Sequence, residues 1–517
     1  MLQRAAHIQD ERSISRRAFL AGGVAFGTTA LLYGCGGTAK DAVARLVPGL
    51  AGASGSVKDV SLNAVVSEVE IASGKRITAW TYDGKLPGTE IRAKEGERLR
   101  ITLKNSLPES TTIHWHGISQ RGSSNMDGVP NVTQPPIDPG ASMTYDFITD
   151  RPGTYFYHPH SGLQIERGLA AALIVEPKKE ELSYDREYTL VVDDWLAGSP
   201  DVAFQQLQNG VSPADGLSPD QASSGEDDIG MMGGGEMGEG DEACCSNTEV
   251  SYAEYLLNGR AREAAPEFQV KRGERVRFRL VNAGGATVFR VAIENHKLTV
   301  THSDGFGLRP VVVDALDVAP GERYDVLVTA DHPGAWPIVA APMGHPERAA
   351  RGVLRYADAA ATSNPSLDVL PNELRGDGLD IRDLSSLESL QLPQVSDRPD
   401  RTIDLVLSRG GEHGYQWLIN GRKGLDQPFE IGSGERVRMQ MSNMTVMWHP
   451  MHLHGHSFRV LNRAQTNAPV KDTVLVRPTM HGRAEVEFLA DNPGNWLIHC
   501  HHAYHLAAGM ERLLKYV

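Results

Sequence analysis

Apolar and polar residues alternate with period two in three separated stretches of the chain. After Glu95-Gly96-Glu97 come Leu99, Ile101 and Leu103, interleaved with Arg98, Arg100, Thr102 and Lys104 and closed by Asn105. The same order runs from Arg272-Gly273-Glu274 through Val276, Phe278 and Leu280 to Asn282. It returns from Ser433-Gly434-Glu435 through Val437, Met439 and Met441 to Asn443. A Gly-Glu turn followed by side chains that switch face at every residue predicts a strand with one buried face. A second element also recurs: Arg151-Pro152-Gly153-Thr154-Tyr155, His332-Pro333-Gly334-Ala335-Trp336 and Asn492-Pro493-Gly494-Asn495-Trp496. Short alternating strands joined by Gly/Pro turns predict an all-β chain of β-sandwiches, in three homologous domains over 57–178, 184–357 and 400–517. Two stretches fall outside the repeats. Residues 196–250 hold no Lys or Arg and contain Met231, Met232, Met237, Cys244 and Cys245, an acidic Gly-rich insert in the second domain. Residues 358–399 lack the alternation and read as a linker.

Length agrees with this count, since 517 residues at about 150 per domain give about three domains. The 51 Lys+Arg against 65 Asp+Glu leave a net charge of −14, which excludes nucleic acid as a main partner because phosphate needs a basic face. No apolar run reaches the roughly 18 residues of a membrane-spanning helix. The first residues read as an address: Ser15-Arg16-Arg17-Ala18-Phe19-Leu20 is a twin-arginine signal, followed by a weakly apolar stretch from Ala21 to Leu32. Leu32-Tyr33-Gly34-Cys35 then resembles a bacterial lipobox, so residues 1–34 are expected to be a signal peptide and Cys35 a lipid anchor in the cell envelope. Four cysteines are too few for a disulfide scaffold.

The 19 histidines change the picture through their register. Nine and eleven residues after Asn105 stand His114 and His116; nine and eleven after Asn443 stand His452 and His454. Six and eight after Pro152 stand His158 and His160; six and eight after Pro493 stand His499 and His501. The corresponding places in the second copy hold Val291, Ile293, Val339 and Ala341. Spacing of two on a strand puts both imidazoles of a pair on one face. A lone histidine is more often a hydrogen-bonded core residue, but that reading does not account for four pairs in matching register. Eight imidazoles from the first and third domains predict a metal cluster between them, of copper, zinc, iron or nickel.

Cys500, between His499 and His501, is expected to point to the opposite face of its strand. With His449, His505 and Met510 it completes one thiolate, two imidazoles and a thioether, the donor set of a blue-copper electron-transfer site.

The segments His114-Trp115-His116-Gly117, His158-Pro159-His160, His449-Pro450-Met451-His452-Leu453-His454 and His499-Cys500-His501 through His505 and Met510 resemble those of the multicopper oxidases. The likeness covers nearly the whole chain after the signal. It looks closest to the three-domain laccase-like enzymes, in particular exported bacterial copper-resistance oxidases. It implies three tandem cupredoxin-like Greek-key sandwiches and four coppers. Type 1 copper would be held by His449, Cys500, His505 and Met510, and type 2 by His114 and His452. The type 3 pair would be held by His116, His158 and His501 on one ion and His160, His454 and His499 on the other. Four one-electron oxidations would then be coupled to reduction of dioxygen to water. Asp127, in Met126-Asp127-Gly128, matches the family carboxylate that aids proton delivery, although an Asp-Gly pair is also a common turn. A Glu found after the type 1 histidine in some cuprous oxidases is Leu506 here, so a second proton route is undefined. Cu(I) is the expected electron donor, with the insert and the group Met439, Met441, Met444, Met447 and Met451 as soft ligands. Oxidation of phenols or aromatic amines is the alternative, and a non-enzymatic envelope protein the third reading.

Overall fold

A computed structural model describes residues 56–517 apart from 212–248, 359–364, 377, 388–389, 391–392, 412–413, 464–465 and 479–481. The signal, Cys35 and the Met and Cys residues of the insert lie outside the described residues.

The regular structure of the described chain is almost all strand and forms six sheets that fall into three pairs. The repeated alternating strands are Arg98–Ser106, Arg275–Asn282 and Arg436–Asn443. Each pairs in parallel with the opening strand of its own repeat, Val57–Ala72, Arg186–Trp195 or Arg401–Gly410. Each also pairs antiparallel with a later strand: Ser142–Ile148, Arg323–Thr329 or Arg483–Leu489. The second sheet of each pair carries the strand that follows the Pro-Gly turn. The three folds thus share this central connectivity, the second and third adding two strands to one sheet and one to the other, with Leu99, Ile101, Tyr145 and Phe147 in the core of the first and Val437, Met439, Val486 and Phe488 in that of the third.

Alternation predicts one buried face, and Arg98–Ser106 and Arg436–Asn443 follow it residue by residue. The middle strand does not: every residue from Val276 to Asn282 is buried. Arg277 and Arg279, which the pattern places towards water, instead face the first repeat. Arg279 Nη1 donates to Thr154 Oγ1 at 3.0 Å, Thr154 Oγ1 donates to Asp325 Oδ1 at 2.6 Å, and Arg277 Nη2 donates to Asp325 Oδ2 at 2.5 Å. Burial is tolerated because each charge is paired and hydrogen-bonded.

The asparagine that closes each repeated strand builds the same turn three times. Its Oδ1 accepts the N–H two residues on, from Leu107, Gly284 or Thr445. Its Nδ2 donates to the carbonyl four residues on in the outer copies, Glu109 and Met447, but five on in the middle copy, Thr287. The middle loop is one residue longer. Counting nine residues from Asn282 therefore lands on Val291, which pairs with Ala340, whereas Val339 pairs with Ala292. Val291 and Ile293 turn into the core and are not the equivalents of His114 and His116.

The region 196–250 opens with a helix, Pro200–Gln208, Pro200 taking the first-turn position where its missing N–H is harmless. Between 358 and 399 the described residues form two short 3₁₀ turns, Asn372–Arg375 and Ile381–Asp383. No described helix is long and apolar enough to cross a membrane.

Candidate metal centre

Two strand pairs bring the histidines together. His114–His116 pairs antiparallel with Gly153–His158, His114 opposite His158; His449–Leu453 pairs with Asn495–Cys500, His452 opposite His499. Directly opposed residues share a face. Trp115 and Tyr157, one residue off, point the other way into the first core, and Met451, opposite Cys500, points into the third. Imidazoles therefore leave both sandwiches on the outer face, and the two outer faces meet.

Across that meeting His114 Nε2 stands 3.4 Å from His452 Nε2 and His158 Nε2 3.3 Å from His501 Nε2, while within the third repeat His454 Nε2 stands 3.1 Å from His499 Nε2. His160 Nε2 is buried without a partner. His160, His454 and His499 hold ligand atoms within 4.8 Å of one another, as do His114, His452 and His454 and also His114, His116 and His158. All eight predicted residues meet in one place.

The far nitrogens are fixed by the chain. His114 Nδ1 lies 2.8 Å from the Asp127 carbonyl oxygen, His158 Nδ1 3.1 Å from Pro159 O, His452 Nδ1 2.9 Å from Asp472 O and His499 Nδ1 2.9 Å from Cys500 O. His454 Nδ1 lies 2.8 Å from Asp127 Oδ2. His116 is turned the other way: its Nε2 lies 3.1 Å from both Asp472 Oδ1 and Thr473 Oγ1, leaving Nδ1 without a partner. Two glycines make room. A Cβ on Gly128 would stand 1.9 Å from Ile113 O, beside the strand that carries His114, and one on Gly321 would stand 2.8 Å from His501 Cδ2 and 3.0 Å from His116 Cε1; both adopt positive φ.

The second group lies on the core side of the same strand. Cys500 Sγ is 3.6 Å from His449 Nδ1 and 3.5 Å from His505 Nδ1, and the two Nδ1 atoms are 3.1 Å apart. Met510 is buried beside them; its N–H donates to His505 O and its carbonyl accepts from Cys500 N at 3.0 Å. His505 stacks on His502 with ring centres at 3.7 Å and touches Trp417, tilted by 33°, at 3.9 Å. His449 Nε2 ends on Thr445 Oγ1 at 2.8 Å; Glu249 Oε2 stands 3.3 Å from His505 Nε2, which makes no hydrogen bond.

Family models described as multicopper oxidase match residues 64–180, 186–359 and 397–516. The chain is 34% identical to the multicopper oxidase MmcO of Mycobacterium tuberculosis over 98% of both proteins. The chain belongs to the multicopper oxidase family. It is also 29% identical to a copper resistance protein A homolog of Pseudomonas syringae pv. tomato, over 97% of this chain and 99% of that protein. Among solved structures, a laccase from Botrytis aclada superposes with a TM-score of 0.72 at 26% identity, covering 89% of this chain and 88% of that one. As a multicopper oxidase the chain is an oxidase that uses dioxygen and four coppers.

The donor set fits a multicopper oxidase. Nitrogens bound about 2.0 Å from one ion stand roughly 3.3 Å apart at a tetrahedral angle, and a sulfur at about 2.3 Å stands roughly 3.5 Å from such a nitrogen. The facing nitrogens and the Cys500 contacts have these spacings. Burial first, and neighbouring imidazoles second, hold His116, His160, His454 and His501 well below the ordinary histidine range. The rings are therefore neutral, the form that ligates a metal. Burial likewise pushes the Cys500 thiol up, so its deprotonation is tied to metal uptake.

Sequence reasoning missed the residues that orient these rings: Asp472, Thr473, Thr445, Glu249 and Trp417. None lies at a repeated position, and no motif marks them. Asp127 closes the 3₁₀ turn Ser124–Met126 and lies beside His114 and His454. Of the methionines expected to gather Cu(I), Met439, Met441, Met447 and Met451 are packed in the core, and Met444 is exposed. His456, which stands outside the matched register, is buried with its Nε2 2.6 Å from Tyr516 Oη.

Proposed function

We propose that this chain oxidises Cu(I) at the Cys500 site and delivers the electrons to the histidine cluster, in the balance 4 Cu⁺ + O₂ + 4 H⁺ → 4 Cu²⁺ + 2 H₂O. His449, Cys500, His505 and Met510 would hold type 1 copper, and His114 and His452 type 2. The type 3 ions would be held by His116, His158 and His501 and by His160, His454 and His499. Copper in these positions supplies the one-electron acceptor and the site of oxygen reduction. Cys500 is joined through one peptide on each side to His499 and His501, the shortest covalent route between the two groups. Asp127, touching His114 and His454, is placed to hold and pass protons beside the cluster.

The burial of the type 1 imidazoles carries the choice of donor. His449 and His505 are fully buried; the outer nitrogen of His449 ends on Thr445 Oγ1, and the Glu249 carboxylate stands 3.3 Å from that of His505. An aromatic donor needs a concave apolar pocket against such a ring. A small cation needs only oxygen or thioether donors near it, which Glu249 and the exposed Met444 offer. Residues 1–34 are read as a twin-arginine signal and Cys35 as a lipid anchor, which would place this oxidase in the cell envelope, where copper tolerance is exercised.

The test is oxygen uptake by the copper-loaded protein with Cu(I) and with a phenol as donor, each with and without excess Cu(II). Four Cu(I) consumed per O₂, with kcat/KM for Cu(I) exceeding that for the phenol, is expected. A phenol preferred under both conditions overturns the Cu(I) reading in favour of a laccase.

A further inference from the structure

Asp127 and Asp472 are related by the pseudo-twofold that relates the first and third repeats. Asp127 offers its carbonyl to His114 Nδ1 at 2.8 Å and its carboxylate to His454, the second histidine of the opposite repeat, at 2.8 Å. Asp472 offers its carbonyl to His452 Nδ1 at 2.9 Å and its carboxylate to His116, again across the pseudo-twofold, at 3.1 Å. What breaks the symmetry comes from the repeat that carries no histidine pairs. Arg323 Nη2 donates to Asp472 Oδ2 at 2.6 Å and Nη1 to Oδ1 at 2.7 Å, a two-pronged grip in which every atom is buried. Arg323 is itself held from two sides: Nη1 donates to Gly321 O at 2.8 Å and Nε to Thr154 O at 3.2 Å, on the strand that ends in His158. Asp304 ties the same joint, accepting from the backbone N–H of Arg323, Asp472 and Thr473 at 3.0, 3.2 and 3.1 Å.

We infer that Arg323 is a positioning residue of the histidine cluster: the middle repeat, through Arg323, fixes Asp472 and thereby the ring of His116, whose unpartnered Nδ1 faces the cluster. The other cluster rings with an anchored far nitrogen lean chiefly on backbone carbonyls or on Asp127. The orientation of His116 hangs on one carboxylate and one hydroxyl, and that carboxylate is set by a guanidinium 149 residues away. Lysine in its place would keep the charge and lose the fork.

This inference rests on the ligand set proposed above. The test is titration of the copper-free full chain with copper, reading cluster copper by the near-ultraviolet type 3 band and the type 2 paramagnetic resonance, and type 1 copper by its blue absorption. Arg323→Gln should weaken cluster uptake about 10–100-fold, the scale of lost support behind a ligand, while the blue band forms as in the parent. Lys471→Met, which removes a buried charge from the same joint without touching a cluster histidine, should leave cluster uptake within twofold of the parent (about 0.4 kcal/mol at 1.4 kcal/mol per tenfold). Equal loss in Arg323→Gln and Lys471→Met, or parent-like uptake in a folded Arg323→Gln, overturns the inference. Should Arg323→Gln not fold, Arg323→Lys is read instead; parent-like uptake there overturns it. A parent chain that takes up type 1 copper alone would sink the ligand set itself, a separate failure.

Discussion

His499 Nδ1 lies 2.9 Å from the carbonyl oxygen of Cys500. The residue whose sulfur faces one group of ligands thus carries, on its own backbone, the acceptor that orients a ring of the other. Strand alternation sends the Cys500 side chain to the core and the His499 and His501 rings to the interface, so the two centres share a single strand end and cannot drift apart.

Removing the sulfur should separate them chemically. Cys500→Ser is expected to abolish the blue absorption and oxidation of any donor, and to lower copper by one from the four of the parent. The type 3 band should persist. Loss of all copper by elemental analysis of the purified variant would contradict the independence of the two ligand groups.

Asp127→Asn keeps the size of the side chain and its contact with His454 but holds no exchangeable charge. Turnover at neutral pH should fall about 100-fold or more, the usual contribution of a positioned acid–base group, with copper content at the parental value. Oxygen-uptake rates equal to the parent would remove Asp127 from proton handling.

The copper-free chain should lose stability in acid. Burial holds His116 and His454 well below their ordinary value of 6.5, and holds His456 down to about 4. Between the folded and unfolded values the unfolded chain binds more protons, so stability rises with pH. The contribution is complete above about 6.5 and drains away as pH falls, for His456 until about pH 4. Calorimetry of the copper-free protein should give a lower Tm at about pH 5.5 than at about pH 7.5; equal values would contradict buried neutral rings.

Asp325 takes hydrogen bonds from Arg277, Arg279 and Thr154 in the joint between the first two repeats. Burial opposes its charge, but the two guanidinium groups overcome this and hold its carboxyl well below the usual range. Asp325→Ala leaves the buried Arg277 and Arg279 with only the part-exposed Glu180 and Glu187 as partners and should destabilise the chain by about 3–5 kcal/mol. Denaturant unfolding measures it; a change under about 1 kcal/mol would mean that water compensates the arginines.

Met441 is packed in the third core, opposite Ala484 on the neighbouring strand. Met441→Leu conserves volume and should cost less than about 1.5 kcal/mol, with Cu(I) kinetics unaltered. A raised KM for Cu(I) would return this methionine to the role its sequence position suggested.

Much of the site is legible in the sequence because period-two alternation and a fixed turn carry register: the positions of His114, His158, His452 and His499 follow from counting. Counting failed where a loop gained one residue, after Asn282, since a slip of one flips a strand's faces. Alternation failed at Arg277 and Arg279 because a second domain covers the face that the pattern assigns to water. Asp472, Arg323 and Glu249 were out of reach for another reason. They meet their partners only where separate parts of the chain pack together, and no local spacing encodes a contact between Arg323 and Asp472.

The extra residue after Asn282 also bears on whether the middle repeat can be turned back into a metal site. Val291 sits inside its sandwich with Ile338 and Ala340, while Val339 lies on the reverse face with Ala341 and Ala349. Histidines written into all four aligned positions would point in two directions, half of them into oil. Four codon changes at those positions therefore do not make a copper half-site; on this strand the residue that shares the face of Val339 is Ala292, one place further along.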